Sequence, residues 1–260
     1  MNGAAGDSLV RMETAAGVAT LTLDRPHKRN ALSAAMVAAL SRRLVEAGDD
    51  RAVRVVALRG AGGDFCAGAD LAEIAASQGE GVEAGLADAR GLGDVFIGIR
   101  RIEKPVVAVV RGRALGGGCG LATACDIVLA HPGAVFAYPE VHLGFVPALV
   151  MAVLRRKVGE AAAFELVARG HRVVASEAVT LGLATRVVAD EDFDATVDTY
   201  LRDLASRPST AVALAKRLLH SLGGSGFEDD IARGAEVNAI ARLTRECRDG
   251  VRDFLRGKGG

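Results

Sequence analysis

The chain has 260 residues, half of them hydrophobic, and its 32 basic and 32 acidic side chains cancel to a formal charge of zero. That length and apolar content suffice for a full core, as one large domain or one domain with a helical appendix. The charge balance offers no electrostatic footprint for nucleic acid or an anionic membrane surface. No apolar run reaches the length of a membrane span, and Met1 to Gly17 lacks a basic segment followed by an apolar core. Cys66, Cys119, Cys125 and Cys247 show no metal-ligand spacing, nor do His27, His131, His142, His171 and His220. A metal-free protein of the reducing cytoplasm is expected.

The first predicted element is a strand over Val18 to Leu23, followed by a loop from Arg25 to Leu32. Ser33 then caps a helix whose apolar residues Met36, Val37, Leu40, Leu44 and Val45 share a face, with Gly48 as its stop. Arg54 to Leu58 reads as a strand that runs into a glycine-rich exit, Gly60 to Asp70. Leu71 to Ala76 starts a short helix, Ser77 to Gly93 is mixed and expected to be mobile, and Val95 to Ile102 is helical. Lys104-Pro105 breaks that helix before the apolar strand Val106 to Val110.

The strand leads to Ala114-Leu-Gly-Gly-Gly-Cys-Gly-Leu-Ala-Thr-Ala-Cys-Asp126, a second glycine-rich exit opening a small apolar helix. Short strands are expected at Asp126 to Ala130 and Val135-Phe136, then a loop from Tyr138 to Gly144. Helices follow over Pro147 to Lys157 and Gly159 to Arg169. A further helix, capped by Ser176, ends near Gly182, and Thr185 to Val188 is a strand. From Phe193 onward the pattern is helical, with breaks at Pro208 and Gly223 to Gly226. Residues 1–195 therefore read as an α/β core and residues 196–260 as a helical C-terminal region.

Neither glycine stretch is a P-loop or a clean dinucleotide fingerprint, and Gly223-Gly-Ser-Gly226 is not a nucleophile elbow. What remains is two strand exits and one loop carboxylate, Glu140. The first N–H groups of a helix have no internal partner and lie at the positive end of its dipole. One N–H from each exit could converge on a single oxygen as an oxyanion hole, an arrangement in which each donor is worth about a hundredfold to a thousandfold in rate. A carboxylate beside it could move a proton on the adjacent carbon. A surface glutamate beside a glycine turn is the plainer alternative.

Several stretches resemble the crotonase superfamily, the enoyl-CoA hydratases and isomerases: Arg29-Asn-Ala-Leu32, Phe65-Cys-Ala-Gly-Ala-Asp-Leu71, Lys104-Pro-Val-Val-Ala108, Ala114-Leu-Gly-Gly-Gly-Cys119, Cys125-Asp126, Pro139-Glu140 and Gly182-Leu183. The resemblance runs from about Val18 to the C-terminus. It implies an α/β spiral of ββα turns whose helical C-terminal region serves trimerisation, in a homotrimer or a dimer of trimers. It implies an acyl-CoA substrate, coenzyme A being part of the thioester and no separate cofactor being needed. By the same resemblance Ala67, before the glycine of the A-G-x-D motif, and Gly117 give the oxyanion N–H groups. Arg25, Lys28, Arg29 and Ala31 border the coenzyme, and Ala67, Gly68, Ala69 and Asp70 line its path. Phe254 and Lys258, with Arg256 between them, resemble a segment that reaches a neighbouring subunit's coenzyme.

One departure stands out. Hydratases of the family commonly carry two catalytic glutamates, and the first position is Gly120 here; only Glu140 remains. The expected activity is hydration of a 2-enoyl-CoA with Glu140 as single acid/base. The alternative is a double-bond isomerase, whose 1,3-proton shift needs one carboxylate. A non-catalytic acyl-CoA- or RNA-binding relative is a further alternative; the zero charge and 4% aromatic content speak against RNA.

Overall fold

The computed structural model describes residues 9–77, 81–189 and 191–222, together with residues 240, 244, 245, 247 and 249. Along these residues run β1 (Val10–Ala15), β2 (Val18–Leu23), β3 (Val55–Gly60), β4 (Val106–Val110), β5 (Arg113–Leu115), β6 (Ile127–Ala130), β7 (Val135–Ala137), β8 (Val173–Val174) and β9 (Arg186–Val187). The helices are α1 (Ala34–Asp49), α2 (Leu71–Ser77), α3 (Gly81–Arg101), α4 (Gly117–Ala124), α5 (Ala148–Leu154), α6 (Glu160–Arg169), α7 (Ala175–Leu181), α8 (Phe193–Ala205) and α9 (Ser209–Ser221). Two 3-10 turns, Pro26–Lys28 and Pro139–Leu143, complete the set.

The main sheet has the order β1-β2-β3-β4-β6-β9 and is parallel except for the β1–β2 hairpin. A smaller sheet, β5-β7-β8, starts just after the main sheet's β4. Every residue of β4 is buried, as expected of a parallel strand covered on both faces. Its side chains divide with the period of two that strand geometry imposes. Val106, Ala108 and Val110 join the principal core, whereas Val107 and Val109 join a second cluster under Phe193, Val197 and Leu201 of α8.

The Ser33 cap is present: its hydroxyl accepts the Met36 N–H at 3.1 Å. The helix it starts runs on through Gly48 to Asp49, and Val45 is 61% exposed rather than on the buried face. Ser176 lies inside α7, which has no side-chain cap. The stretch Ser77 to Gly93, read from sequence as mixed, is helical wherever it is described. Residues 81–93 belong to α3, which Val95, Phe96 and Ile99 anchor in the core, and Leu92 packs against it one turn earlier. Helical continuity from that apolar anchor outweighs the glycine content.

Past Pro208 the chain continues as α9, docked by a buried cation. Lys216 Nζ donates to the carbonyls of Ile99 and Lys104, both at 2.9 Å, and to Asp126 Oδ2 at 2.7 Å. The same Asp126 oxygen accepts the Val106 N–H at 2.7 Å, so α9, α3, β4 and the start of β6 meet at one carboxylate. Beyond α9, the hinge at Gly223 to Gly226 and most of the expected trimerisation helix lie outside the described residues; Ile240, which is described, is 53% exposed. No helix among the described residues is long and apolar enough to cross a membrane.

Lys216→Met removes the cation of this largely buried pair and leaves Asp126 with the Val106 N–H and, at 3.4 Å, His220 Nε2. Such a loss typically costs about 3–5 kcal/mol. Urea unfolding should register that drop, and hydrogen exchange should show α9 opening first.

Candidate active site

Residues 61–70, which leave β3, form no regular strand but are held like one. On one side Cys66 N–H donates to Arg113 O and Leu115 N–H to Cys66 O, both at 3.0 Å. On the other, Leu32 N–H donates to Gly68 O at 2.8 Å and Asp70 N–H to Leu32 O at 3.0 Å. Asp64 and Arg113 add a two-pronged ion pair, Nε–Oδ1 at 2.8 Å and Nη2–Oδ2 at 2.7 Å. Burial pushes the Asp64 carboxyl up, but the hydrogen bonds and charge of Arg113 outweigh it and hold it below its ordinary value.

The third fixing point is Asn30. It is fully buried and has a left-handed backbone (φ 56°), as does Arg29 (φ 52°). Two such residues in succession are strained. The strain is offset because Asn30 Nδ2 donates to Ala61 O at 2.9 Å and Asp64 O at 2.8 Å, while Oδ1 accepts the Arg25 N–H at 2.9 Å.

This pairing decides which N–H groups are free, and it corrects one expectation. The Ala67 N–H donates to Arg29 O at 3.0 Å, so it is not an oxyanion donor. Ala69 is different. The bonds to Leu32 come from its neighbours Gly68 and Asp70, so its own N–H points the other way. It has no acceptor among the described residues. Gly117, the first residue of α4, has none either, as its place in the helix dictates. The two meet closely: a methyl group built on Gly117 would lie 4.0 Å from the Ala69 nitrogen, and one on Gly68 would lie 3.6 Å from the Gly117 nitrogen. Gly68 cannot carry that methyl, because its φ is 93° and Leu115 O would be 2.8 Å away.

Glu140 sits in the 3-10 turn after β7, and its carboxylate faces the start of α4. A methyl on Gly116 (φ 51°) would lie 2.9 Å from Glu140 Oε1. Glu140 Oε2 is buried with no hydrogen-bond partner, and burial raises the carboxyl above its ordinary pKa. Opposite, at the position where a second glutamate would stand, a side chain on Gly120 would begin 2.6 Å from Val150 Cγ2 and 3.1 Å from Phe96 Cζ. That space is filled with hydrocarbon. The nearby thiols are inert: burial pushes Cys66 and Cys119 up to about 12.

These groups open on a cavity of about 1010 Å³. Lys28, Arg29, Ala31, Ala67, Gly68, Ala69, Asp70, Gly117 and Glu140 all line it. Arg25 does not. Its guanidinium is tied to Asp70 at 2.6 Å, and Asp70 Oδ1 accepts the Ala72 N–H at the start of α2. The hydrogen bond from Arg25 keeps Asp70 below its ordinary pKa despite burial, so Arg25 stands behind the wall that Asp70 helps to form. Phe254, Arg256 and Lys258 lie outside the described residues. Sequence reasoning missed the apolar lining from Leu92, Leu143, Phe145, Val146, Leu149 and Val150. The signal was an apolar run, Leu143 to Val150, without helical or strand period; Leu143 is 67% and Val146 60% exposed.

The sequence profile of the enoyl-CoA hydratase/isomerase family matches residues 13–251. A Thermus thermophilus protein provisionally named an enoyl-CoA hydratase is 38% identical over 238 residues, covering 92% of this chain and 94% of its own. The 1,2-epoxyphenylacetyl-CoA isomerase of Escherichia coli is 31% identical over 241 residues, 92% of each chain. The crystal structure of an enoyl-CoA hydratase from Mycobacterium smegmatis superposes with a TM-score of 0.91 at 34% identity, covering 96% of this chain and 97% of that one. With a matching profile, a shared fold and full-length relatives, the chain belongs to the enoyl-CoA hydratase/isomerase family of the crotonase superfamily.

Proposed function

We propose that the chain shifts a double bond in an unsaturated acyl-CoA, with Glu140 as the one carboxylate that moves the proton. The observation that carries this reading is the partnerless Oε2 of Glu140, set beside two free N–H groups, while the other acid lining the cavity among the described residues, Asp70, is tied to Arg25. The thioester oxygen accepts hydrogen bonds from Ala69 and Gly117. Negative charge that develops there on enolisation meets donors already in place. Glu140 takes a proton from the carbon between the thioester carbonyl and the double bond. It then returns that proton to the far end of the enolate system, and the double bond moves into conjugation. One carboxylate closes this cycle.

Hydration is the second reading, favoured by the hydratase names of the Thermus and mycobacterial relatives. Glu140 would then deprotonate water for addition at the β-carbon and deliver that proton to the α-carbon. The hydrocarbon packed against Gly120 leaves no second group to hold the water, which is why isomerisation ranks first. Ultraviolet absorbance separates the two. A 3-enoyl-CoA should gain conjugation with the enzyme, while crotonyl-CoA should keep it; loss of conjugation in crotonyl-CoA at the faster rate establishes the hydratase instead.

Glu140→Gln retains the shape of the side chain and cannot take up a proton. Turnover should fall about a hundredfold to ten-thousandfold, while a saturated acyl-CoA binds as before in calorimetry. The base must be ionised to act, so parent activity should fall as pH drops through an inflection above the ordinary glutamate value. Stability runs the other way. The native state keeps the Glu140 proton at pH values where the unfolded chain has lost it, so stability falls as pH rises through that window. Glu140→Gln should therefore unfold at a higher temperature than the parent at neutral pH, and the gap should close below the unfolded glutamate pKa.

Gly117→Pro tests the donor without touching a side chain. Proline is tolerated at the first position of a helix and has no N–H to give. The variant should fold, and turnover should fall about a hundredfold to a thousandfold.

A further inference from the structure

Tyr138 is 1% exposed, and it immediately precedes the Pro139-Glu140 pair. Its hydroxyl lies 2.8 Å from Thr123 Oγ1 on α4. Thr123 Oγ1 also donates to Cys119 O at 2.7 Å, and the Tyr138 hydroxyl shares its hydrogen bonding between Thr123 Oγ1 and the Cys119 thiol. A phenylalanine would fill the same volume, so packing alone does not call for the hydroxyl.

The bond has a companion. The Gly116 N–H donates to Ala137 O at 2.8 Å. The chain that delivers Glu140 is thus fastened to α4 at two places: by backbone just ahead of the helix and by side chain at Thr123. These fastenings are seven residues apart, about 10 Å along the axis. β7 is paired with β5 and β8, and the turn after it is held by the Phe145 N–H to Glu140 O and by His142 Nε2 at 3.0 Å from Arg169 O, but none of these ties reaches α4 at the level of Thr123. Glu140 Oε2 makes no hydrogen bond, and the hydrogen bond that the carboxylate does make is to the N–H of Glu140 itself. Its position relative to the Gly117 N–H therefore depends on the backbone that carries it.

We infer that Tyr138 is a positioning residue: its hydrogen bond to Thr123 fixes Glu140 against the helix that supplies the Gly117 donor. The inference rests on the proposed role of Glu140. Tyr138 touches no reacting atom and acts through Glu140. Without the bond, the 3-10 turn drifts from α4, and the proton transfer loses its alignment while the cavity that binds the thioester is unchanged.

The test uses Tyr138→Phe, Thr123→Val, their double variant and Thr123→Ser in the full chain, assayed on whichever of 3-enoyl-CoA and crotonyl-CoA the parent turns over. Tyr138→Phe and Thr123→Val should each lower kcat between about tenfold and a hundredfold with KM unchanged, the scale on which small misplacements act. The double variant should lose no more than the worse single one, because both remove one shared bond. Thr123→Ser keeps the hydroxyl and should retain parental kcat. The pH inflection should move down towards the ordinary glutamate value, as a loosened carboxylate gains water. A purely structural role would lower the melting temperature and leave kcat and the inflection alone.

Parental kcat and inflection in Tyr138→Phe, or losses that multiply in the double variant, overturn the inference. Thr123→Val carries the test by itself if Tyr138→Phe does not fold. Glu140→Gln separates the two levels. An inactive Glu140→Gln beside a fully active Tyr138→Phe removes this inference alone, whereas an active Glu140→Gln removes the reading beneath it as well.

Discussion

The site depends on a segment that is not a strand being paired as one. Residues 61–70 are held by Leu32 and Arg29 on one side and by Arg113 and Leu115 on the other. In an extended chain successive N–H groups point to opposite sides. Pairing Gly68 and Asp70 with Leu32 therefore turns the N–H between them outward, towards the start of α4. The donor at Ala69 is a by-product of register, and no side chain at that position is needed to create it. The Asp64–Arg113 pair and the buried Asn30 serve the same register from two directions.

Much of this was legible in the sequence, and the rest was hidden for identifiable reasons. The run Val106 to Val110, the Ser33 cap and both glycine-rich exits carry local physics strong enough to read directly. Glu140 could be singled out because it follows a proline among apolar neighbours. The choice between Ala67 and Ala69 could not be made from local sequence. It turns on whether Arg29 or Leu32 pairs with a given peptide group, and both partners are more than thirty residues away. Arg25 misled for a similar reason: its partner, Asp70, is 45 residues distant. Strands β5 and β8 have three residues and two, too short to show a period. Residues 81–93 looked loose because glycines mask a helix whose anchors lie downstream.

The buried and half-buried acidic groups described above divide by the company they keep. Asp64 is held by Arg113, Asp70 by Arg25 and Asp126 by Lys216, and each joins pieces of chain far apart in sequence. Glu140 alone among these has an oxygen buried with no partner. Desolvation without a counter-charge keeps its proton affinity high, which suits the role proposed for it of accepting and returning a proton. The fold thus uses paired carboxylates as fasteners and leaves a single unpaired one facing the cavity.

The hydrocarbon packed against Gly120 bears on how such a chain can change over generations. Glycine and glutamate codons can differ by one base, so a second carboxylate is a single mutational step away in the gene. It is more than one step away in the protein, because Val150 and Phe96 occupy the room that the new side chain would need. A smaller residue at 150 would have to come first, and until the acid arrived it would leave a void in the wall. The order of substitutions therefore matters, and the intermediate is the less stable form. In a lineage at this point, packing as well as the identity of residue 120 keeps a second carboxylate out of this place.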